Sequence, residues 1–192
     1  MEADTTKVLL VSKDAKLSVL IKQVLNAPLF ELVDLTDFND ARRRLIDENF
    51  GIIIVDFADG AGQDFAIEMG NLTATIMLLI PNELLDQVSY RTEEYGILPV
   101  SKPFDLFYFY NMIKVARAVQ AKIRQLSYKT IQLRNKLEEI RIVNRAKMLL
   151  ISHKNMNEEE AHRYIEQTAM NRCIKRIQVA EEIIRDIGTV QV

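Results

Sequence analysis

A single cysteine, no tryptophan, six glycines and four prolines characterise this 192-residue sequence by scarcity. One thiol, Cys173, cannot form an internal disulfide, which excludes a disulfide scaffold and points to a reducing compartment. On its amphipathic stretch Cys173 reads as a small apolar filler. No apolar run approaches the roughly 18–20 residues that cross a bilayer. The opening Met1-Glu2-Ala3-Asp4 is acidic and lacks the basic-then-apolar pattern of a signal peptide, so a soluble, cytoplasmic protein is expected. There is no glycine-rich phosphate loop and no nucleophile elbow. His153 and His162 stand nine apart with no cysteine pair nearby, so neither a metal site nor a cofactor is expected. These absences argue against an enzyme.

What is present is ample apolar material. The chain is 48% hydrophobic with a formal net charge of -2, which excludes intrinsic disorder and allows one domain or two small ones. The balance hides an asymmetry. Residues 1–105 carry nine Lys/Arg against eighteen Asp/Glu, and residues 106–192 carry sixteen against nine. Such a split suggests two modules, the basic one suited to an acidic partner such as nucleic acid.

The acidic half alternates strands and helices. Lys7–Val11 is a short apolar run, followed by Leu17, Leu20, Ile21, Val24 and Leu25 at helical spacing. Phe30–Leu35 forms a second expected strand and Asn39–Asn49 a helix. Ile52-Ile53-Ile54-Val55 is β-branched throughout and ends at Asp56, Thr75–Ile80 runs to Pro81, and Ile97–Val100 precedes Ser101-Lys102-Pro103-Phe104. Strands separated by helix-length connections predict an α/β fold with a doubly wound parallel sheet, because parallel strands require crossovers. Sites in that architecture gather just past the strand C-termini, where Asp56 and Lys102 fall.

This half resembles a response-regulator receiver (flavodoxin-like) domain over about 100 residues. Asp56 stands where receivers carry their phosphoacceptor, and Lys102-Pro103-Phe104 matches the element after their last strand. The resemblance implies two acidic residues after the first strand that hold magnesium, but those positions read Ser12 and Lys13, with Asp14 one place late. The hydroxyl residue that ends the fourth strand in receivers is Ile80 here. Phosphoryl transfer to a carboxylate needs a cation to neutralise developing charge, and a Lys13 ammonium would repel it. Lys13 could instead pair with Asp56. The expectation is a pseudo-receiver with Asp56 as a relic or a charge-paired surface residue, not switched by phosphorylation.

From Phe107 to about Ser152 no glycine or proline interrupts a helix. Alternating steps of four and three from Met112 pass through Ala116, Val119, Ile123, Leu126, Thr130, Leu133, Leu137, Ile140 and Asn144. That 3.5-residue repeat is the pattern of a coiled coil, with Thr130 and Asn144 as register-setting positions. Val119, Ile123, Leu126, Leu133, Leu137 and Ile140 are the expected homodimer seam. Beyond it, Asn157-Glu158-Glu159-Glu160 reads as a helix cap, and two further short helices would complete a small three-helix core, Tyr164 included.

The tail from Ala146-Lys147 through Met148-Leu149-Leu150, Asn157–Ala161, Tyr164, Ala169-Met170, Arg172, Lys175 and Val179-Ala180 resembles the ANTAR domain of bacterial transcription antiterminators. Met148 stands where many members have glycine. The resemblance implies recognition of paired small hairpins in leader transcripts, preventing formation of a terminator. Lys147, Lys154, Arg163, Arg172, Lys175 and Arg176 would supply phosphate contacts, and small Ala146 and Ala169 either close approach to RNA or helix packing. The expected organisation is a receiver-like domain at 1–106, a dimerisation helix at 107–144 and a three-helix RNA-binding domain at 145–192. The expected function is a dimeric RNA-binding antitermination regulator, controlled through its degenerate receiver by a protein partner or by oligomerisation. A phosphorylation-dependent response regulator and a DNA-binding regulator are the alternatives.

Overall fold

The computed structural model describes residues 5–25 and 28–188, so the acidic Met1–Asp4 stretch lies outside the described residues. The chain divides into two compact units, Met1–Gln125 and Leu126–Val192.

The first unit is built on five parallel strands, β1 (Thr6–Val11), β2 (Phe30–Leu35), β3 (Ile52–Asp56), β4 (Thr75–Pro81) and β5 (Leu98–Lys102), in the order β2-β1-β3-β4-β5. Their register pairs Val8 with Ile52, Ile54 with Met77 and Leu79 with Val100. Parallel pairing requires crossovers, and the helices α1 (Ala15–Val24), α2 (Phe38–Asp47), α3 (Ala61–Glu68), α4 (Leu85–Thr92) and the long α5 (Leu106–Lys154) follow the strands. Strand side chains alternate between faces. Leu9, Val11, Ile53, Val55, Leu78 and Ile80 meet Ala41 of α2, Phe65 and Ala66 of α3 and Val88 of α4. Val8, Leu10, Ile52, Ile54, Met77 and Leu79 meet Leu17 and Ile21 of α1 and Phe109, Ile113 and Ala116 of α5. Because both faces are covered, β3 is buried at every position and its sequence shows no polar alternation.

Local signals set the helix starts. Asp14 Oδ1 accepts from the backbone N–H groups of Lys16 and Leu17, and Asp37 Oδ1 from those of Asn39 and Asp40. The Asp37 cap starts α2 one residue earlier than expected, and it ends at Asp47 rather than Asn49. The long helix exceeds its expected span by one residue at the start and two at the end.

One expectation is corrected at the start of α5. Ala116 is fully buried and Met112 packs against the same core, so the first two positions of the 3.5-residue repeat belong to the first unit's core and lie ahead of the expected seam. A boundary at 106/107 therefore falls inside the unit that holds the sheet.

In the second unit, the end of α5 packs with α6 (Glu158–Asn171) and α7 (Arg176–Gly188). Ala146, Leu150, Ala161, Ile165, Ala169, Val179, Ala180 and Ile183 form the core. Four alanines at these crossings allow short interhelical distances, at which backbone and Cβ surfaces pack directly. Asn157 opens α6 with a reciprocal capping box: its Oδ1 accepts from Glu160 N–H at 2.9 Å, and Glu160 Oε2 accepts from its N–H at 2.8 Å. Cys173 is exposed in the turn before α7 at φ 51°, not a core filler. No helix among the described residues is long and apolar enough to cross a membrane.

Thr75, at the start of β4, is 2% exposed, and its hydroxyl has no hydrogen-bond partner among the described residues. Thr75→Val removes that desolvated hydroxyl at nearly constant volume. Urea denaturation of the variant is expected to show a stability gain of about 1 kcal/mol.

Candidate functional sites: an aspartate pocket and a basic helical module

Three strand ends converge at one rim of the sheet: Ser12 directly after β1, Asp56 ending β3 and Lys102 ending β5. Asp56 is 7% exposed, and a carboxylate there has to be neutralised. Its Oδ1 is ion-paired to Lys102 Nζ, and its Oδ2 accepts a hydrogen bond from Ser12 Oγ at 3.2 Å. The Ser12 hydroxyl also accepts from Asp14 N–H at 3.0 Å, and the Ser12 N–H donates to the Leu35 carbonyl, which holds it in place. Phe104 stacks on Phe109 of α5 with ring centroids 4.8 Å apart, anchoring the segment that carries Lys102.

Two sequence expectations are corrected here. Asp56 is buried, not a surface residue, and its cation is Lys102, because Lys13 is exposed. Ser12, read from the sequence as a missing acid, is a hydrogen-bond donor to Asp56.

The loop after Asp56 is tightly built. Ala58 and Asp59 adopt positive φ angles of 43° and 55°, ahead of Gly60 at 98°. Left-handed non-glycine residues are stored strain that a surrounding structure has to hold. At Gly62 a Cβ would lie 1.8 Å from the Asp56 carbonyl oxygen, so only glycine lets α3 begin this close to β3.

The receiver fold implies a magnesium ion beside the aspartate, and the residues present do not fit one. Ser12 and Lys13 replace the paired acids. Asp14 uses Oδ1 to cap α1, and Asp56 has both oxygens engaged. Among the described residues no group of three or more His, Cys, Asp or Glu side chains could hold a metal ion. Ile80, lacking a hydroxyl, is fully buried in the core.

On the helical module, the expected RNA-contacting residues separate by environment. Ala146 and Ala169 lie in the three-helix core and serve packing. Lys147 pairs with Glu158 at 3.1 Å and Arg163 with Glu159 at 2.6 Å. Arg176 Nη1 lies 3.3 Å from Glu166 and its Nη2 3.8 Å from Glu139, so it links α7 to α6 and α5. Arg172 donates from both terminal nitrogens to Glu182. That hydrogen bonding holds the Glu182 carboxyl below the usual carboxylate range and raises the Arg172 guanidinium further. Lys175 is exposed and Lys154 lies 5.4 Å above the Tyr164 ring; among the described residues neither pairs with a carboxylate. Tyr164 is exposed and lies outside the core expected to hold it. Of the seam, Val119 and Ile123 are half-buried, whereas Leu126, Leu133, Leu137 and Ile140 are each more than half exposed.

Comparison with known proteins bears on both units. Residues 132–184 match the ANTAR domain. The signal receiver domain of an HD domain-containing protein from Pseudomonas fluorescens superposes with a TM-score of 0.58 at 18% identity, over 65% of this chain and 96% of that one. A CheY-like receiver domain protein from Methanospirillum hungatei gives 0.56 at 18% identity, over 62% and 98%. At that identity the likeness shows the fold, and the fold is the receiver's. The aliphatic amidase regulator of Pseudomonas aeruginosa is 27% identical over 118 residues, 60% of this chain and 59% of that protein. The transcriptional regulatory protein PdtaR of Mycobacterium tuberculosis is 29% identical over 129 residues, 67% and 63%. The match thus spans about three-fifths of each curated relative's length. The chain combines a receiver fold with a segment that matches the ANTAR domain, and both of these relatives are named as regulators.

The Asp56–Lys102 pair makes a stability prediction. Lys102→Met leaves the carboxylate with Ser12 alone and is expected to lower stability by about 2–3 kcal/mol. Adding Asp56→Asn removes the stranded charge, so the double variant is expected to recover part of the loss in urea denaturation. Additive losses would show that the two residues are not coupled.

Proposed function

We propose that this chain is an RNA-binding transcription antitermination regulator that acts in the cytoplasm as a homodimer. It carries out no chemistry of its own; its receiver-type unit conveys control without phosphorylation of Asp56. The observation that carries the reading is the ANTAR match over residues 132–184, on the half of the chain with sixteen Lys/Arg against nine Asp/Glu. The ion pairs on the module do not remove its cations from use. Exposed pairs contribute about 0–1 kcal/mol each, and a phosphate offers the same charge in the same geometry. Lys147, Lys154, Arg163, Arg172, Lys175 and Arg176 are therefore the proposed phosphate-contacting set, with Lys154 and Lys175 available without breaking an ion pair.

Dimerisation is supported by the seam. A stripe of exposed Leu126, Leu133, Leu137 and Ile140 at coiled-coil spacing is apolar surface that a second α5 would cover. Two modules on one dimer raise the affinity for a target with two hairpins through effective concentration, without new contacts. Regulation then falls to a protein partner of the receiver-type unit or to a change in the oligomer.

Fluorescence anisotropy of the full chain, with a two-hairpin leader RNA and a duplex DNA of equal length, tests this at several salt concentrations. Tighter RNA binding with a steep salt slope is expected, reduced by about one unit in Lys175→Ala. Leu133→Asp with Leu137→Asp is expected to sediment as a monomer and to bind the two-hairpin RNA at least ten-fold more weakly, since avidity is lost. Equal affinity for RNA and DNA would overturn the RNA reading.

A further inference from the structure

Tyr164 projects from α6 beside the carboxyl-terminal end of α5. It is 38% exposed, and Lys154, the last residue of α5, places its Nζ 5.4 Å from the ring centroid. The chain turns between them at Asn155, with φ 52°, before the capping box fixes the start of α6. The pairing of ring and cation is thus held by rigid elements on both sides. Unlike the paired cations of the module, Lys154 faces an aromatic ring, and among the described residues no carboxylate neutralises it. Gln167, Thr168 and Asn171 follow Tyr164 at i+3, i+4 and i+7, on the same side of α6, and Gln167 and Asn171 are exposed. Glu160, one turn earlier on that side, has its Oε2 engaged by the Asn157 N–H.

We propose that Tyr164 and Lys154 form a clamp for one unpaired nucleotide of an RNA hairpin loop, the base stacking on the ring and the ammonium taking the adjoining phosphate. This rests on the RNA-binding reading above. The chemistry is that of single-strand recognition. An exposed aromatic face stacks any unpaired base, whereas bases inside a duplex are not available to it. The flexible lysine stem lets the ammonium leave the ring for a phosphate without unfolding anything. The amides of Gln167 and Asn171 lie along the same side, where a splayed base presents its hydrogen-bonding edge.

The experiment uses the full chain and a two-hairpin RNA selected by it from a pool with randomised loops, then remade with 2-aminopurine at each loop position in turn. Quenching at one position and its loss in Tyr164→Leu are expected, with affinity about ten-fold lower and the salt slope unchanged. Tyr164→Phe keeps the π-face and is expected to retain both quenching and affinity. Lys154→Ala is expected to keep the quenching and lower the salt slope by about one. If Tyr164→Leu binds and quenches as the wild type does, the clamp is overturned while the RNA reading stands. If Tyr164→Phe loses as much as Tyr164→Leu, stacking is overturned. If the wild type selects no RNA over duplex DNA, both readings fall together.

Discussion

A parallel sheet has to be covered on both faces, and much of this chain follows from how that cover is supplied. The crossovers put α2, α3 and α4 on one face and α1 with the first turns of α5 on the other. Because α5 must bring Phe109, Ile113 and Ala116 to the sheet, its apolar stripe is used twice, first for this core and then, from Leu126 onward, as exposed surface. The same topology sends every strand end to one rim. Ser12, Asp56 and Lys102 meet there as neighbours although they are far apart in sequence.

At that rim the carboxylate is satisfied from within the protein. A buried charge needs a counter-charge and hydrogen bonds, and Lys102 with Ser12 supplies both. In a receiver the corresponding negative charge is concentrated by further acids so that a divalent cation is drawn in. Here a hydroxyl and an exposed ammonium stand in those places, and Asp14 serves the start of α1. Gly62 and the left-handed loop after Asp56 hold the start of α3 close to β3, while the residues around Asp56 do not supply a magnesium ligand set. The helical module shows a related economy. Lys147, Arg163, Arg172 and Arg176 are each held in a surface ion pair, an interaction that contributes about 0–1 kcal/mol.

How much of this was legible in the sequence depended on whether the signal was local. The β-branched run Ile52–Val55, the Asp56 that ends it and the Asn157–Glu160 capping box carry their own physics within a few residues, and the structure has them where they were expected. The partner of Asp56 was not legible. Lys13 is close in sequence, whereas Lys102 arrives only through the β5 crossover. Periodicity located the apolar stripe of α5 but could not say that Met112 and Ala116 would face the sheet, because a seam and a core face share one spacing. Ala146 and Ala169 read equally well as contact or as packing, and the structure places both in the three-helix core. Tyr164 looked like a core residue by spacing alone. Lys154, beyond a left-handed turn, gives it a different environment.

On the proposed function, Lys102 closes Asp56 to phosphorylation, and RNA binding by the helical module is controlled without it. RNA affinity of the full chain, measured with and without a small phosphodonor plus magnesium, for wild type and Asp56→Asn, tests that claim most directly. The account predicts one affinity in all four cases. An affinity that changes with phosphodonor in the wild type and not in Asp56→Asn would contradict it.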